Sequence, residues 1–338
     1  MNYTIDYPLY KYYYKPNIDK IYKLSKFYKN KFVFNKPDEI KYKINKTCIN
    51  VFKPYDNFKN YSFVLIEDNY EDNKELNYLT DYFTLEERVK ANFINNPSPI
   101  DYYNKHKKDI EEYLKSKGIH KIKTLDDYYT FDKYMFDNVR FTNNFRISII
   151  LRVLDIFKPK KWLDISAGWG DRLISAILYP TVKCYNSTGP NLSLHKHYLD
   201  IIKFFNVSKK HYQIKKKGFE DLRLKDNYYD LVFSSPPFFD METYSNNEND
   251  SLIKHPNELK WYNDFLIVSL LKSFKALKNN HFLVLNISFY KKSKYLSKDK
   301  LISDITKYNY VIHCGSIYYY NKENWKPREF IIFKKQTT

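Results

Sequence analysis

From residue 145 onward, apolar runs with helical period and runs with strand period alternate. FRISIILRVLDIF (145–157) has helical spacing, KKWLDIS (160–166) reads as a strand, and GDRLISAILY (170–179) reads as a helix that begins directly after a glycine. VKCYNST (182–188), YQIKKK (212–217), YYDLVFSS (228–235) and HFLVLNIS (281–288) read as further strands. SLHKHYLDIIKFF (193–205), NELKWYNDFLIVSLLKSFKALK (257–278) and KDKLISDITKY (298–308) supply the helices between them. Parallel strands need crossover connections, and those crossovers are right-handed, so this alternation leaves few topologies open. The expected fold class is α/β, with a doubly wound, Rossmann-like sheet. VIHCGSIYYY (311–320) and EFIIFKK (329–335) follow one another with no helix between them, which implies an antiparallel C-terminal edge.

The region before this series is different. It is rich in Tyr, Lys and Asn and weakly periodic. YSFVLIED (61–68) reads as a strand, LEERVKANF (85–93) as a helix, and 97–119 as a helix with Gly118 as its C-cap. Residues 1–125 are therefore expected to form an accessory α+β region that contacts substrate, and residues 126–338 the α/β domain. A chain of 338 residues with 43% hydrophobic content has material for both. No apolar run approaches the ~20 residues that span a bilayer, and the first residues hold no apolar signal core. Cys48, Cys184 and Cys314 lie far apart, as neither a disulfide framework nor a metal-binding pair. The expectation is reduced thiols, no metal, and a cytoplasmic or nuclear location.

The formal net charge is +18, which points to nucleic acid as partner. Lys, Asn, Tyr, Ile and Phe are abundant and Gly is scarce, as an AT-rich coding sequence would give, so part of this charge reflects codon usage. The scarce residues are then the informative ones. Four of the 6 glycines fall within 168–218, and four of the seven arginines (Arg140, Arg146, Arg152, Arg172) fall within 33 residues.

Two stretches in this region carry chemistry. LDISAGWGDRL (163–173) places Gly168 and Gly170 beyond the end of the first strand, where a doubly wound sheet binds its ligand. It lacks the full dinucleotide fingerprint and any phosphate loop. LVFSSPPFFD (231–240) ends a buried strand with Pro236 and Pro237, which cannot continue a ladder, and then presents Phe238 and Phe239. The fourth strand in order ends beside the turn of the first, so the two stretches converge.

Together they resemble the class I S-adenosylmethionine-dependent methyltransferases that modify exocyclic amines of nucleic-acid bases. That family's (Asp/Asn/Ser)-Pro-Pro-(Tyr/Phe/Trp) element corresponds here to Ser235, Pro236, Pro237 and Phe238. AGWGDRL with SPPFFDMETY is similar to a phage and large-DNA-virus subgroup bearing AGWGDRL and SPPYFDxExY, and the likeness covers roughly residues 140–290. The resemblance implies that Ser235 Oγ and the Pro236 carbonyl accept hydrogen bonds from the target amine while Phe238 stacks on the base. It implies that Asp164, Ser166, Gly168 and Gly170 cradle the methionine part of the cofactor. Asn191 and the Phe219–Glu220 segment would flank its ribose and adenine, and Phe145 and Arg146 would close over it. Phe239, Asp240, Glu242 and Tyr244 would shape the base pocket. Asp171 reads equally well as a first-turn helix charge.

There is one departure from the subgroup. The second strand ordinarily ends in an acidic residue for the ribose hydroxyls, in a stretch like Gly-Thr-Asp-Pro-Asn. Here it reads Ser187-Thr188-Gly189-Pro190-Asn191. Two functions stay open. The first is methyl transfer to N6 of adenine, favoured over N4 of cytosine, in DNA or RNA. The second is an inactive nucleic-acid-binding subunit on the same fold, working with a catalytic or regulatory protein partner.

Overall fold

The computed structural model describes residues 6–27, 64–68, 74–93, 96–245, 247–289, 293, 296–321 and 328–337. Its strands are β1 (Val64–Asp68), β2 (Asn92–Phe93), β3 (Lys161–Leu163), β4 (Cys184–Thr188), β5 (Tyr212–Lys215), β6 (Tyr229–Ser234), β7 (Glu242–Thr243), β8 (Leu277–Leu285), β9 (Val311–Asn321) and β10 (Arg328–Lys335). The main sheet runs β1-β9-β10-β8-β6-β3-β4-β5. β5, β4, β3, β6 and β8 pair in parallel, with Trp162 opposite Tyr185 on one side and Leu231 on the other. β10 is the antiparallel member, paired with both β8 and β9, and β1 extends the sheet by pairing in parallel with β9. Counted from β3, this is the Rossmann-like methyltransferase order, reversing direction of travel between β3 and β6.

Side-chain alternation explains why both faces are covered. On β6, Leu231 and Phe233 point into one core with Trp162, Leu154, Ile177 and Tyr185, while Val232 points into the other with Leu163, Leu270 and Phe274. Helices Ile147–Phe157, Asp171–Leu178 and Leu194–Phe204 supply the first layer. Val268–Ala276 and Lys298–Thr306 supply the second. Strands buried on both faces read as nearly continuous apolar runs, as 229–234 does. A third cluster joins Tyr10, Leu85, Tyr103, Tyr128, Phe131 and Met135 in the N-terminal helices. Leu76, Leu79, Phe83 and Ala91 of the same region belong to the first core. A buried ion pair, Arg88 to Asp81 at 2.7 Å, reaches the chain entering the α/β series through Arg88 Nη1 and the Thr142 carbonyl (3.1 Å).

Local signals account for several boundaries. Helix Leu125–Asn138 opens on a Thr124/Asp127 capping box. Lys158 ends helix Ile147–Phe157 in the left-handed region (φ 47°), just before Pro159. Elsewhere the periodicity misleads. The helix expected over 85–93 stops at Arg88, and Asn92–Phe93 becomes a strand because Glu242–Thr243 is there to pair with it. The helix expected over 97–119 breaks at His106 into Pro99–Lys105 and Lys107–Ser116. The helix expected over 257–278 contains a π-helical segment, Trp261–Ile267, and yields to β8 at Leu277. Residues 61–63 of the first expected strand lie outside the described residues, as does Cys48. Among the described residues, no helix is long and apolar enough to cross a membrane.

Candidate active site

β3, β4, β5 and β6 all end at one cavity of about 660 Å³. The turn after β3 is built on two glycines. Gly168 has φ +57° and its carbonyl accepts from Tyr198 Oη at 2.6 Å. Gly170 has φ +104°, an angle L side chains rarely adopt, and a Cβ there would also press on Ile201 Cδ1 at 2.9 Å. Gly168 lines the cavity; Gly170 lies behind it, at the helix contact. Asp164 also lies behind the wall. It is fully buried and accepts from Arg172 Nε (2.8 Å), Tyr185 Oη (2.6 Å) and the Ser166 amide (3.2 Å). Its carboxylate therefore braces the loop from beneath.

The Ser-Pro-Pro-Phe segment forms the adjoining wall: Ser235, Pro236, Pro237 and Phe238 all face the cavity. Three hydrogen bonds fix its entry. The Ile165 amide donates to Ser234 Oγ (3.2 Å), Ser166 Oγ donates to the Ser235 carbonyl (2.9 Å), and Asn286 Nδ2 donates to Ser235 Oγ (3.1 Å). Ser166 thus ties the glycine loop to the proline motif. Asn286, just past β8, escaped the sequence reading because a single Asn after an apolar run has no distinguishing pattern. Its backbone amide also donates to the Ser234 carbonyl at 2.9 Å.

Phe239 departs from expectation. It sits at φ +32°, and its ring turns away from the cavity onto Trp261, with centroids 5.8 Å apart. The Asp240 side chain lies outside the described residues. Glu242 and Tyr244 do line the cavity. Glu242 accepts from the Asn143 amide at 3.2 Å and from the Tyr244 hydroxyl, and burial pushes its carboxyl pKa up. Tyr244 packs edge-on against Trp169, 5.9 Å between centroids, and its carbonyl accepts from Asn191 Nδ2 at 3.4 Å.

Phe145, Arg146, Asn191, Phe219 and Glu220 complete the wall. Asn191 Oδ1 accepts from the Ser193 amide at 3.1 Å, starting the helix after β4. Gly189 faces the cavity, and its carbonyl is 2.7 Å from His195 Nε2. Two buried carboxylate oxygens in the wall have no hydrogen-bond partner among the described residues: Asp171 Oδ1 and Glu220 Oε2. Asp171 is 2% exposed, and burial pushes its carboxyl up to about 6 against the opposing pull of Arg172, the Thr80 hydroxyl and the Phe145 amide. Glu220 Oε1 is held by Lys254 at 2.9 Å. Buried polar atoms are ordinarily satisfied, so two carboxylate oxygens left open in one cavity wall suit a ligand that brings hydrogen-bond donors. Among the described residues, no group of three His, Cys, Asp or Glu side chains is placed to hold a metal ion.

No family model and no curated protein sequence matches the chain. Among solved structures, it is similar to an rRNA methylase from Streptococcus thermophilus, at 10% identity and TM-score 0.37, over 53% of this chain and 88% of that one. It is also similar to the O-methyltransferase of a trans-AT PKS multienzyme of Brevibacillus brevis in complex with S-adenosyl-L-homocysteine, at 10% identity and TM-score 0.36, over 53% and 67%. Strand order and register, not these likenesses, carry the fold assignment.

Proposed function

We propose that the chain transfers a methyl group from S-adenosylmethionine to an exocyclic amine of a nucleic-acid base, N6 of adenine in preference to N4 of cytosine. The observation that carries this reading is the joining of the glycine loop to the proline motif around one cavity, through Ser166 and Ser235. The cofactor has an ammonium group at one end, and a ribose diol and an adenine amine at the other. Asp171 suits the ammonium, and Glu220, on the segment after β5, suits the donors at the opposite end. Gly168 leaves room for the backbone to approach the ligand closely.

When bound, the cofactor supplies a methyl group made electrophilic by its sulfonium. The chain's own residues do the rest. A base amine is a poor nucleophile because its lone pair is delocalised into the ring. Ser235 Oγ and the Pro236 carbonyl accept hydrogen bonds from that amine, which favours a tetrahedral nitrogen with its lone pair aimed at the methyl group. Asn286 occupies one lone pair of Ser235 Oγ and leaves the other for the substrate. Proline has no N–H to compete and fixes the carbonyl's direction, so the acceptors are preorganised. Phe238 stacks on the base, worth about 1–3 kcal/mol. To reach it, the base leaves its stack or comes from a single strand.

Gly189 favours a second reading, an inactive binding subunit that acts beside a catalytic partner. Calorimetric titration with S-adenosylmethionine and S-adenosylhomocysteine separates the two. Micromolar binding, followed by methylated nucleosides in a mass-spectrometric screen of DNA and RNA substrates, is the expected result. No binding at millimolar cofactor overturns the autonomous enzyme.

A further inference from the structure

Four of the seven arginines, Arg140, Arg146, Arg172 and Arg328, line the cavity, and no described lysine does. In a chain where lysine is the common cation, this is a chemical choice. A guanidinium lies flat on rings and grips phosphate in a planar fork, which an ammonium cannot do. Arg172 is committed to Asp164. Arg140 is different: it is exposed, it stands at the cavity wall, and among the described residues no carboxylate forms an ion pair with it. Its guanidinium lies 4.1 Å from the centre of the Phe93 ring.

Phe93 is itself bound to the active-site loop. Its backbone pairs with Glu242, so the short β2–β7 ladder holds this stack beside the proline motif. Phe136 stands in the last turn of helix Leu125–Asn138 with 58% of its surface exposed, and Arg140 lies two residues past that helix's end. Its ring lies parallel to Phe141, with centroids 5.2 Å apart and planes at 8°. One face of Phe136 is therefore covered and the other open. An open aromatic ring stacked on Phe141, the residue next to the Arg140 guanidinium, makes a platform for a base and its phosphate.

We infer that the nucleotides flanking the modified base cross this shoulder, with a phosphate on Arg140 and an unpaired base on Phe136. The inference rests on the nucleic-acid reading above. It goes beyond that reading by naming the surface that holds the strand, and by making single-stranded or locally opened nucleic acid the form that binds.

The test is fluorescence anisotropy with a short fluorescein-labelled single-stranded oligonucleotide of mixed sequence, as DNA and as RNA, across a salt series. Arg140→Gln, Arg140→Lys and Phe136→Ala are compared with wild type. Both side chains are exposed, and melting temperatures check that the variants fold. Loss of one phosphate contact lowers the slope of log affinity against log salt by about 0.7 for a single strand. Arg140→Gln is expected to show that drop, and Arg140→Lys to retain most of the slope with weaker binding. Phe136→Ala is expected to lose roughly tenfold in affinity with the slope unchanged, since stacking carries no counterion release. Wild-type binding left unaltered in strength and slope by both Arg140→Gln and Phe136→Ala overturns the platform and leaves the proposed function standing. Failure of the wild type to bind either oligonucleotide, with cofactor binding intact, overturns the nucleic-acid reading and the platform with it.

Discussion

Replacing Asp171 by Asn should strengthen the fold and weaken cofactor binding, two effects of opposite sign from one atom. The carboxyl is buried beside Arg172, with Asp81 as a further, repelling charge, and burial raises its pKa from 3.8 to about 6. Between those values the folded chain holds a proton that the unfolded chain has released. Stability therefore falls as pH rises through this window and levels off above it. About two units at ~1.4 kcal/mol each put the cost of the ionised group near 3 kcal/mol at neutral pH and above. Asparagine has the same shape and no charge. In the ligand-free chain near pH 8, Asp171→Asn should gain about 1–3 kcal/mol, and near pH 4 almost nothing. The cofactor's ammonium would lose a charge-assisted hydrogen bond, worth about 1.5–3 kcal/mol, so Kd should rise roughly ten- to a hundredfold. Urea unfolding at the two pH values measures the first effect, and calorimetry with S-adenosylhomocysteine, which keeps the ammonium, measures the second. A variant that is less stable near pH 8 and binds as tightly as wild type would refute the reasoning, since Asp171 would then be a structural charge.

Three further substitutions probe other atoms of the site. Gly189→Asp places a carboxylate where the proposed cofactor's ribose would lie; its Cβ would stand 3.3 Å from Tyr198 Oη and 3.6 Å from Ile214 Cγ2, close but without backbone strain. It should tighten S-adenosylhomocysteine binding by about ten- to a hundredfold, and a folded variant with unchanged or weaker binding counts against the ribose placement. Asn286→Ala frees Ser235 Oγ to rotate and should lower kcat several-fold, by about 1 kcal/mol, with cofactor Kd unchanged; an equal loss in cofactor affinity would put Asn286 in the wrong role. Phe238→Ala should raise KM for the nucleic-acid substrate in line with about 1–3 kcal/mol of stacking, and Phe238→Tyr should retain it; steady-state kinetics on the unmethylated nucleic-acid substrate decide.

The parts legible in the sequence are those whose cause is local or repeated. β3 through β6 and the helices after them were visible because burial on both faces leaves an apolar run, and because each helix carries its own period. The glycine turn after β3 was visible because Gly168 and Gly170 need backbone angles that few other residues adopt. What escaped has its cause elsewhere in the chain. Asn92–Phe93 reads as the tail of a helix until Glu242–Thr243 is brought beside it. Asp164 sits in the expected motif, but the side chain that claims it is Arg172, eight residues on, so it braces the turn instead of facing the cavity. Phe239 follows Phe238 directly, yet its left-handed φ sends the two rings to different places. Asn286 and Arg140 gain meaning only from their partners, Ser235 and Phe93.

Gly189 alone would suggest a site released from its function, but the rest of the cavity argues against release. Asp171 holds a buried charge with an unpartnered oxygen, and Glu220 holds a second unpartnered oxygen. Each of these lowers stability, and each would be relieved by a single substitution if nothing bound there. Ser235 is anchored twice, through its carbonyl and through Oγ, although a strand that merely ended at two prolines would need neither bond. Destabilising features that converge on one cavity are what a working site retains at the expense of its fold. These features favour the proposed enzyme over the inactive binding subunit, with Gly189 lowering cofactor affinity under that proposal.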